Sequence, residues 1–331
     1  MSEPESPPPA QPPLPPFEVR LNPPNLAPWI AGNTGIPSFT CIAGPNPGPH
    51  VVLLAITHGN EFSGAIVLDR ILRAGLRPTR GTLTCGFVNL AAFSRFDPRQ
   101  PTLSRFVDED LNRLWDPAVL DGPRRSSELD RAREIRPIID TADILLDLHS
   151  MLWPSDPLLL SGPSEPGHAL AVAVGVPPLV VADRGHANGP RIIDYPRFTE
   201  GRANAAAVLL EAGQHWEVSA VETAHAGVAQ LLRSLRMATE DVALPPPCRH
   251  PPQSFAEVTD TIIAETAGLS FVQPYRGGDI IKDRNTLIAT DGPTEIRTPY
   301  NDCLLVMPSL RPSRGHTAVR LARFTGGDAA Q

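Results

Sequence analysis

Six consecutive apolar residues, Val51-Val52-Leu53-Leu54-Ala55-Ile56, constrain this chain more than any other stretch. A run with no polar position cannot lie on a sheet with one wet face. It has to be a strand covered on both sides, as strands of parallel sheets are. Directly downstream, residues 62–73 place apolar side chains at helical spacing. The alternation recurs along the chain. Residues 82–88, 144–148, 179–182 and 206–210 read as strands, and 126–140 and 218–239 as helices. This pattern predicts an α/β fold, a mixed and mostly parallel sheet flanked by helices.

Composition shifts at Leu244-Pro245-Pro246-Pro247, which reads as a linker. Beyond it, Gly277-Gly278-Asp279, Asp291-Gly292-Pro293 and Thr298-Pro299 punctuate short strand-like runs at 303–307 and 318–324. A small C-terminal β-rich domain follows. The opening MSEPESPPPAQPPLPP is a proline-rich tail. The expected organisation is therefore a disordered tail over 1–17, a main domain over 18–245 and a β-rich domain over 250–325.

With 331 residues, 41% of them hydrophobic and 20% charged, there is ample material for a packed core. The formal net charge of −7 gives no whole-chain attraction for nucleic acid or anionic lipid. An anionic substrate would have to be held by local arginines. The N-terminus has neither a basic start nor an apolar stretch, so no secretory signal is expected. No run approaches the roughly 18 apolar residues that a membrane span needs. Cys41, Cys85, Cys248 and Cys303 form no C-x-x-C pair, which fits a reduced compartment. A cytoplasmic protein is expected, with no nucleic-acid or membrane partner and with homo-oligomerisation left open.

Three constellations carry chemistry. Thr57-His58-Gly59-Asn60-Glu61 follows the buried strand directly and opens a helix. Sites in open α/β sheets form beyond the carboxyl ends of strands, and Gly59 is expected to let the backbone bend so that His58 and Glu61 converge. Asp147-Leu148-His149 is expected to end another apolar run and adds a second imidazole. Two imidazoles and a carboxylate suit a catalytic Zn²⁺ with an open fourth position. Asp147 is a candidate to orient a ligand imidazole, an ion pair with an arginine being the alternative.

The second constellation, residues 104–113, holds Arg105, Asn112 and Arg113 among Asp108, Glu109 and Asp110. Arg113 can grip a carboxylate through two parallel hydrogen bonds, with Asn112 adding a donor. At least one of the three acids is expected to brace an arginine. A solvated charged loop is the ordinary alternative. The third, Leu209-Leu210-Glu211-Ala212-Gly213, places a glutamate at the expected end of a strand, where it can work as a general base. Capping the following helix is the competing role, and Glu222 a lesser candidate base.

In order, His58-Gly59-Asn60-Glu61, Asp110-Leu111-Asn112-Arg113, Asp147-Leu148-His149 and Glu211-Ala212-Gly213 resemble the motifs of the succinylglutamate desuccinylase and aspartoacylase family. That family is related to zinc carboxypeptidases of the carboxypeptidase A type. The likeness spans about residues 38–325. It implies one Zn²⁺ per chain, held by His58, Glu61 and His149, with Glu211 activating the zinc-bound water. It further implies that Arg105 stabilises the oxyanion and that Asn112 and Arg113 bind the carboxylate of a small N-acyl amino acid. Two family features register poorly. For an arginine shortly before the catalytic glutamate the candidates are Arg197 and Arg202, and for a substrate-contacting tyrosine the match is Tyr300. The resemblance thus implies an amide-cleaving zinc deacylase whose acyl group and amino acid stay open, among them an N-acetylated diaminobutyrate. The alternatives are a carboxypeptidase or amidase acting on peptides, and a zinc-binding pseudoenzyme that senses an amino acid derivative.

Overall fold

A computed structural model describes residues 17–185, 188–200, 205–238, 244–247 and 251–325. They divide into two compact units, one built from 18–258 with 324–325, the other from 259–323 with Phe17.

The larger unit contains strands β1 (Phe39–Ala43), β2 (His50–Ala55), β3 (Thr82–Phe87), β4 (Ile144–Met151), β5 (Leu158–Leu160), β6 (Leu179–Ala182), β7 (Ala206–Gln214) and the start of β8 (Ser254–Ile263). They lie in the order β1-β3-β2-β4-β7-β5-β6-β8. The central ladders β3–β2, β2–β4 and β4–β7 are parallel, whereas β1–β3 and β5–β7 are antiparallel. The sheet is mixed and mostly parallel, as the apolar runs predict. Its helices are α1 (Ser63–Arg73), α2 (Leu90–Phe93), α3 (Pro117–Leu120), α4 (Ser127–Ile139), α5 (Glu165–Val174), α6 (Pro196–Thr199) and α7 (Val218–Ser234).

Strand side chains alternate between the two faces of a sheet. Val51, Leu53 and Ala55 of β2, Leu146 and Leu148 of β4, and Val208, Leu210 and Ala212 of β7 join one buried apolar cluster with α1, α5 and α7. The intervening residues, Asp147, His149, Leu209 and Glu211, must therefore face the other way. The polar members of that set are the ones that carry the site.

Three local expectations need correction. His149 does not end its strand, because β4 runs on to Met151, and Glu211 lies inside β7, which continues to Gln214. The cause is a bulge. His149 pairs with Glu211 and Met151 with Gln214, so Ala212 and Gly213 oppose Ser150 alone. Gly213 absorbs the extra residue at φ +115°, where a side chain would be strained. Third, α7 stops at Ser234 and not near 239, because Arg236 adopts φ +54° and Met237 N–H reaches back to Leu232 O at 2.8 Å. That is a Schellman-type helix end with arginine where glycine is usual.

The smaller unit is antiparallel. β11 (Leu287–Asp291) pairs with β9 (Ser270–Phe271) and β12 (Thr294–Arg297), while β13 (Cys303–Val306) pairs with β10 (Ile280–Ile281) and β14 (Thr317–Phe324). Among the described residues no helix is long and apolar enough to cross a membrane.

Candidate metal centre and active site

The turn after β2 delivers His58 and Glu61 to the end of the sheet, and β4 brings His149 alongside. One ligand atom from each of the three lies within 4.8 Å of the other two, and all three residues are buried. His58 Nδ1 is 2.9 Å from Glu61 Oε1, and His149 Nδ1 is 3.0 Å from Glu61 Oε2. Both imidazoles thus turn the same nitrogen toward one carboxylate.

Their other nitrogens are held by acids. Asp147 Oδ2 sits 2.7 Å from His149 Nε2, and Asp110 Oδ1 2.8 Å from His58 Nε2. A carboxylate on Nε2 favours the ring proton there, which leaves the Nδ1 lone pair for a cation; Arg105 Nη2 also stands 3.0 Å from His58 Nε2. Asp147 is steadied in turn by the Thr57 hydroxyl, which donates to Oδ1 at 3.0 Å. Of the two roles considered for Asp147, the structure shows contact with the imidazole.

The charges tie the cluster tightly together. Burial alone would raise the Glu61 carboxyl, but His58 and His149 outweigh it and hold it well below the carboxylate range. Burial would lower the His149 imidazole, yet Asp147 and then Glu61 hold it well above the ordinary histidine value. Asp110 is likewise kept well below its usual range against burial, by His58 and Arg105. The donor set fits a divalent cation, with two imidazole nitrogens and one ionised carboxylate converging in a dry site. One observation supports the fit directly. His58 Nδ1 is buried and has no hydrogen-bond partner, despite its nearness to Glu61.

Gly59 is needed for a reason other than a bend. A Cβ there would stand 2.4 Å from Phe93 N and 2.5 Å from Ser104 O. The backbones of 59, 92–93 and 104 pass too close for any side chain, and Gly59 N–H donates to Arg105 O at 3.0 Å.

Arg105 reaches the triad from this second loop. Its Nη1 donates to Glu61 Oε1 at 2.8 Å and its Nη2 to Asp110 Oδ2 at 3.2 Å. Asp110 therefore braces an arginine, as one of the three acids was expected to, and Glu109 does the same for Arg124 at 2.6 Å. Asn112 accepts the Ile192 N–H at Oδ1, 2.8 Å, which leaves its amide nitrogen 3.5 Å from His149 Nε2. Arg113 donates to Asn112 O at 2.5 Å and stands 3.9 Å from Asp110.

Glu211 completes the cluster. Register places it beside His149 on the neighbouring strand, facing the same side of the sheet. Its Oε2 is buried with no hydrogen-bond partner. Burial pushes this carboxyl up to about 8, with the nearby His149 pulling the other way. A carboxyl that holds its proton near neutrality and becomes ionised when a cation arrives is suited to carrying protons.

Sequence reasoning missed His215. It directly follows β7, two residues past Gly213, with Nδ1 2.7 Å from Ser150 Oγ and Nε2 3.8 Å from Glu61 Oε1. Burial lowers this imidazole to about 4, so it is neutral. No local motif signals it, because the bulge that aims it exists only when β7 is paired.

Other candidates lie elsewhere. Arg197 donates to Ala142 O and to Asp143 Oδ1, at the beginning of β4, so it occupies the wrong end of that strand. Arg202 lies outside the described residues. The Tyr300 hydroxyl is 2.6 Å from Thr259 Oγ1, with the Arg323 guanidinium 4.3 Å over the ring, both within the smaller unit. Glu222 is exposed on α7.

Comparison with known proteins agrees with this arrangement. A region of 31% identity over 114 residues relates the chain to the aspartoacylase of Xenopus tropicalis, covering 32% of this chain and 35% of the relative. This chain thus spans about a third of that relative's length. The fold matches succinylglutamate desuccinylase from Vibrio parahaemolyticus with a TM-score of 0.64 at 16% identity, covering 87% of this chain and 86% of that one. A succinylglutamate desuccinylase/aspartoacylase structure from Rhodobacter sphaeroides also gives 0.64, at 18% identity over 88% and 89% of the two chains. The model of the succinylglutamate desuccinylase/aspartoacylase catalytic domain matches residues 47–235, which hold His58, Glu61, Arg105, Asp110, His149 and Glu211, and the chain belongs to that family.

Proposed function

We propose that this protein is a zinc-dependent, cytoplasmic hydrolase that cleaves the amide bond of a small N-acyl amino acid. The observation that carries the reading is the meeting of three ligand atoms with a buried Glu211 on the adjacent strand, whose Oε2 has no hydrogen-bond partner. Zinc, when bound by His58, Glu61 and His149, supplies a Lewis acid and lowers the pKa of water.

The chain's own residues do the rest. Glu211 takes the proton of the attacking water and later passes it to the leaving nitrogen. Such transfer is worth typically 10²–10⁴-fold in rate. Arg105, which reaches the triad on a fork of two donors, stabilises the negative oxygen that develops on the scissile carbonyl. Asn112 and Arg113 supply donors for the carboxylate of the amino acid. Asp110 and Asp147 hold the imidazoles in the tautomer that leaves both Nδ1 atoms available. His215, neutral and tied to Ser150, adds a polar group next to Glu61 without adding charge.

The test combines metal analysis with a panel of N-acetyl and N-succinyl amino acids and short peptides. The expected result is about one zinc per chain and release of a free amino acid that stops when zinc is removed and resumes when it is restored. Iron in place of zinc would overturn the metal assignment, since a two-histidine, one-carboxylate set also suits that ion. Cleavage of peptides alone would move the substrate class to peptidases, and ligand binding without turnover would make the protein a sensor.

A further inference from the structure

The loop that carries Arg105 and Asp110 has no regular structure of its own before Leu111, yet both side chains must be placed to within fractions of an ångström. We propose that Glu128, outside the site, is the positioning residue that holds this loop in register. The inference rests on the metal and oxyanion roles proposed above.

Glu128 lies in the first turn of α4 and is 1% exposed. Its carboxylate accepts the N–H groups of Val107 at 2.6 Å, Asp108 at 2.9 Å and Glu109 at 3.2 Å, and the Asn89 side-chain amide at 3.1 Å. Three successive backbone N–H groups converging on one anion form a nest, an arrangement suited to binding a negative group. Here the chain supplies that group itself. Each bond is charge-assisted and correspondingly strong.

The joint is closed from the other side too. Asp108 Oδ2 accepts the backbone N–H of Ser127 at 2.7 Å and its hydroxyl at 2.6 Å. Ser126, the N-cap of α4, hydrogen-bonds Glu109 through its hydroxyl. Residues 126–128 and 107–109 thus grip one another reciprocally. Arg105 and Asp110 flank the gripped tripeptide, and Arg105 O is bonded to Gly59 in the turn bearing His58 and Glu61.

An acid in the first turn of a helix also favours the helix dipole. That role needs no contact with the loop, predicts a loss of stability alone, and is the alternative to be excluded.

The decisive variant is Glu128→Gln, made in the full chain. Its amide keeps one acceptor oxygen but turns an NH₂ toward the nest. The expected result at saturating zinc is a fall in kcat of at least about tenfold with KM little changed, since Arg105 acts on the transition state. Zinc affinity, read by chelator competition, should fall about tenfold or more because Asp110 orients His58. In an Arg105→Ala background the further kcat loss from Glu128→Gln should largely vanish, the sign of two residues acting as one unit. Glu128→Asp should restore part of both losses. If Glu128→Gln does not fold, Ser127→Ala removes the hydroxyl bond to Asp108 on the other side of the joint and should show the same losses in weaker form.

Losses that multiply independently with Arg105→Ala, or a lower melting temperature with unchanged zinc affinity and kcat, would overturn the inference. Wild-type protein that binds no zinc would overturn the functional reading instead. The loop inference would then be decided by amide hydrogen exchange, which needs no metal. Faster exchange at 105–110 in Glu128→Gln than in wild type supports it, and equal exchange there refutes it.

Discussion

His149 and Glu211 stand opposite each other across the parallel ladder between β4 and β7, one a member of the buried His58–Glu61–His149 cluster and the other a carboxyl with a bare, buried oxygen. Adjacent strands of a sheet run about 4.8 Å apart, so a paired position on the same face sets two side chains at a separation that backbone hydrogen bonds maintain. A base built this way needs no loop to close before it is in place. The tight spacing comes with an electrostatic cost, and several consequences can be measured.

Replacing Glu211 by Gln keeps size and removes the ionisable group. Turnover should fall by roughly 10²–10⁴-fold while zinc content and ligand affinity stay near wild type. Steady-state kinetics beside metal analysis checks it, and a variant that hydrolyses substrate at the wild-type rate would assign the base elsewhere.

Glu211 should also set the pH dependence of the metal-free protein. Its ordinary value is 4.5 and burial lifts it to about 8. Below 4.5 the carboxyl is protonated in both folded and unfolded chains and contributes no difference. Between 4.5 and 8 only the unfolded chain loses the proton, so stability falls as pH rises, by up to roughly 5 kcal/mol in all. Denaturant titrations of metal-free Glu211→Gln should show a gain over wild type of about 2–4 kcal/mol at pH 9 and almost none at pH 4. Parallel curves across that range would show the carboxyl to be solvated. Zinc should erase much of the difference, because a nearby dication favours the ionised form.

Asp147 touches no ion in the proposed site, yet Asp147→Asn should weaken zinc binding about 10–100-fold, through loss of the acid that fixes His149 Nε2. Competition with a coloured chelator reads this directly. An unchanged affinity would leave Asp147 with only its bond to Thr57.

Gly59→Ala should be far more damaging than its size suggests, because the added methyl meets backbone atoms on two other segments. Overpacking against backbone costs about 1–3 kcal/mol, and the strain falls between His58 and Glu61. Urea unfolding and zinc titration should both shift, and a variant as stable as wild type would mean that the loops at 92–93 and 104 part easily.

Much of this molecule was legible in the one-dimensional pattern. The runs at 82–88, 144–148 and 179–182 became strands at those places because each buries apolar side chains whatever its neighbours are. His58, Glu61, His149 and Glu211 could be singled out because a polar residue interrupting or ending such a run is costly unless it has work to do. The ends of elements were read less well. β4 and β7 overran because pairing across the Gly213 bulge extends both, and α7 fell short because Arg236 turned left-handed.

Local sequence, then, determined most of the larger strands and helices and that polar residues interrupt or follow the apolar runs at 147, 149 and 211. Those properties depend on neighbours a few residues away. Tertiary structure alone decided that His149 pairs with Glu211 and not with a residue two places along, that the bulge sends His215 toward Glu61, that Arg197 belongs to the far end of β4, and that Glu128 grips a loop some twenty residues earlier in the chain. Each of these is a contact between distant segments, set by strand register and packing. No residue carries a mark of the partner it will meet only after the sheet has formed.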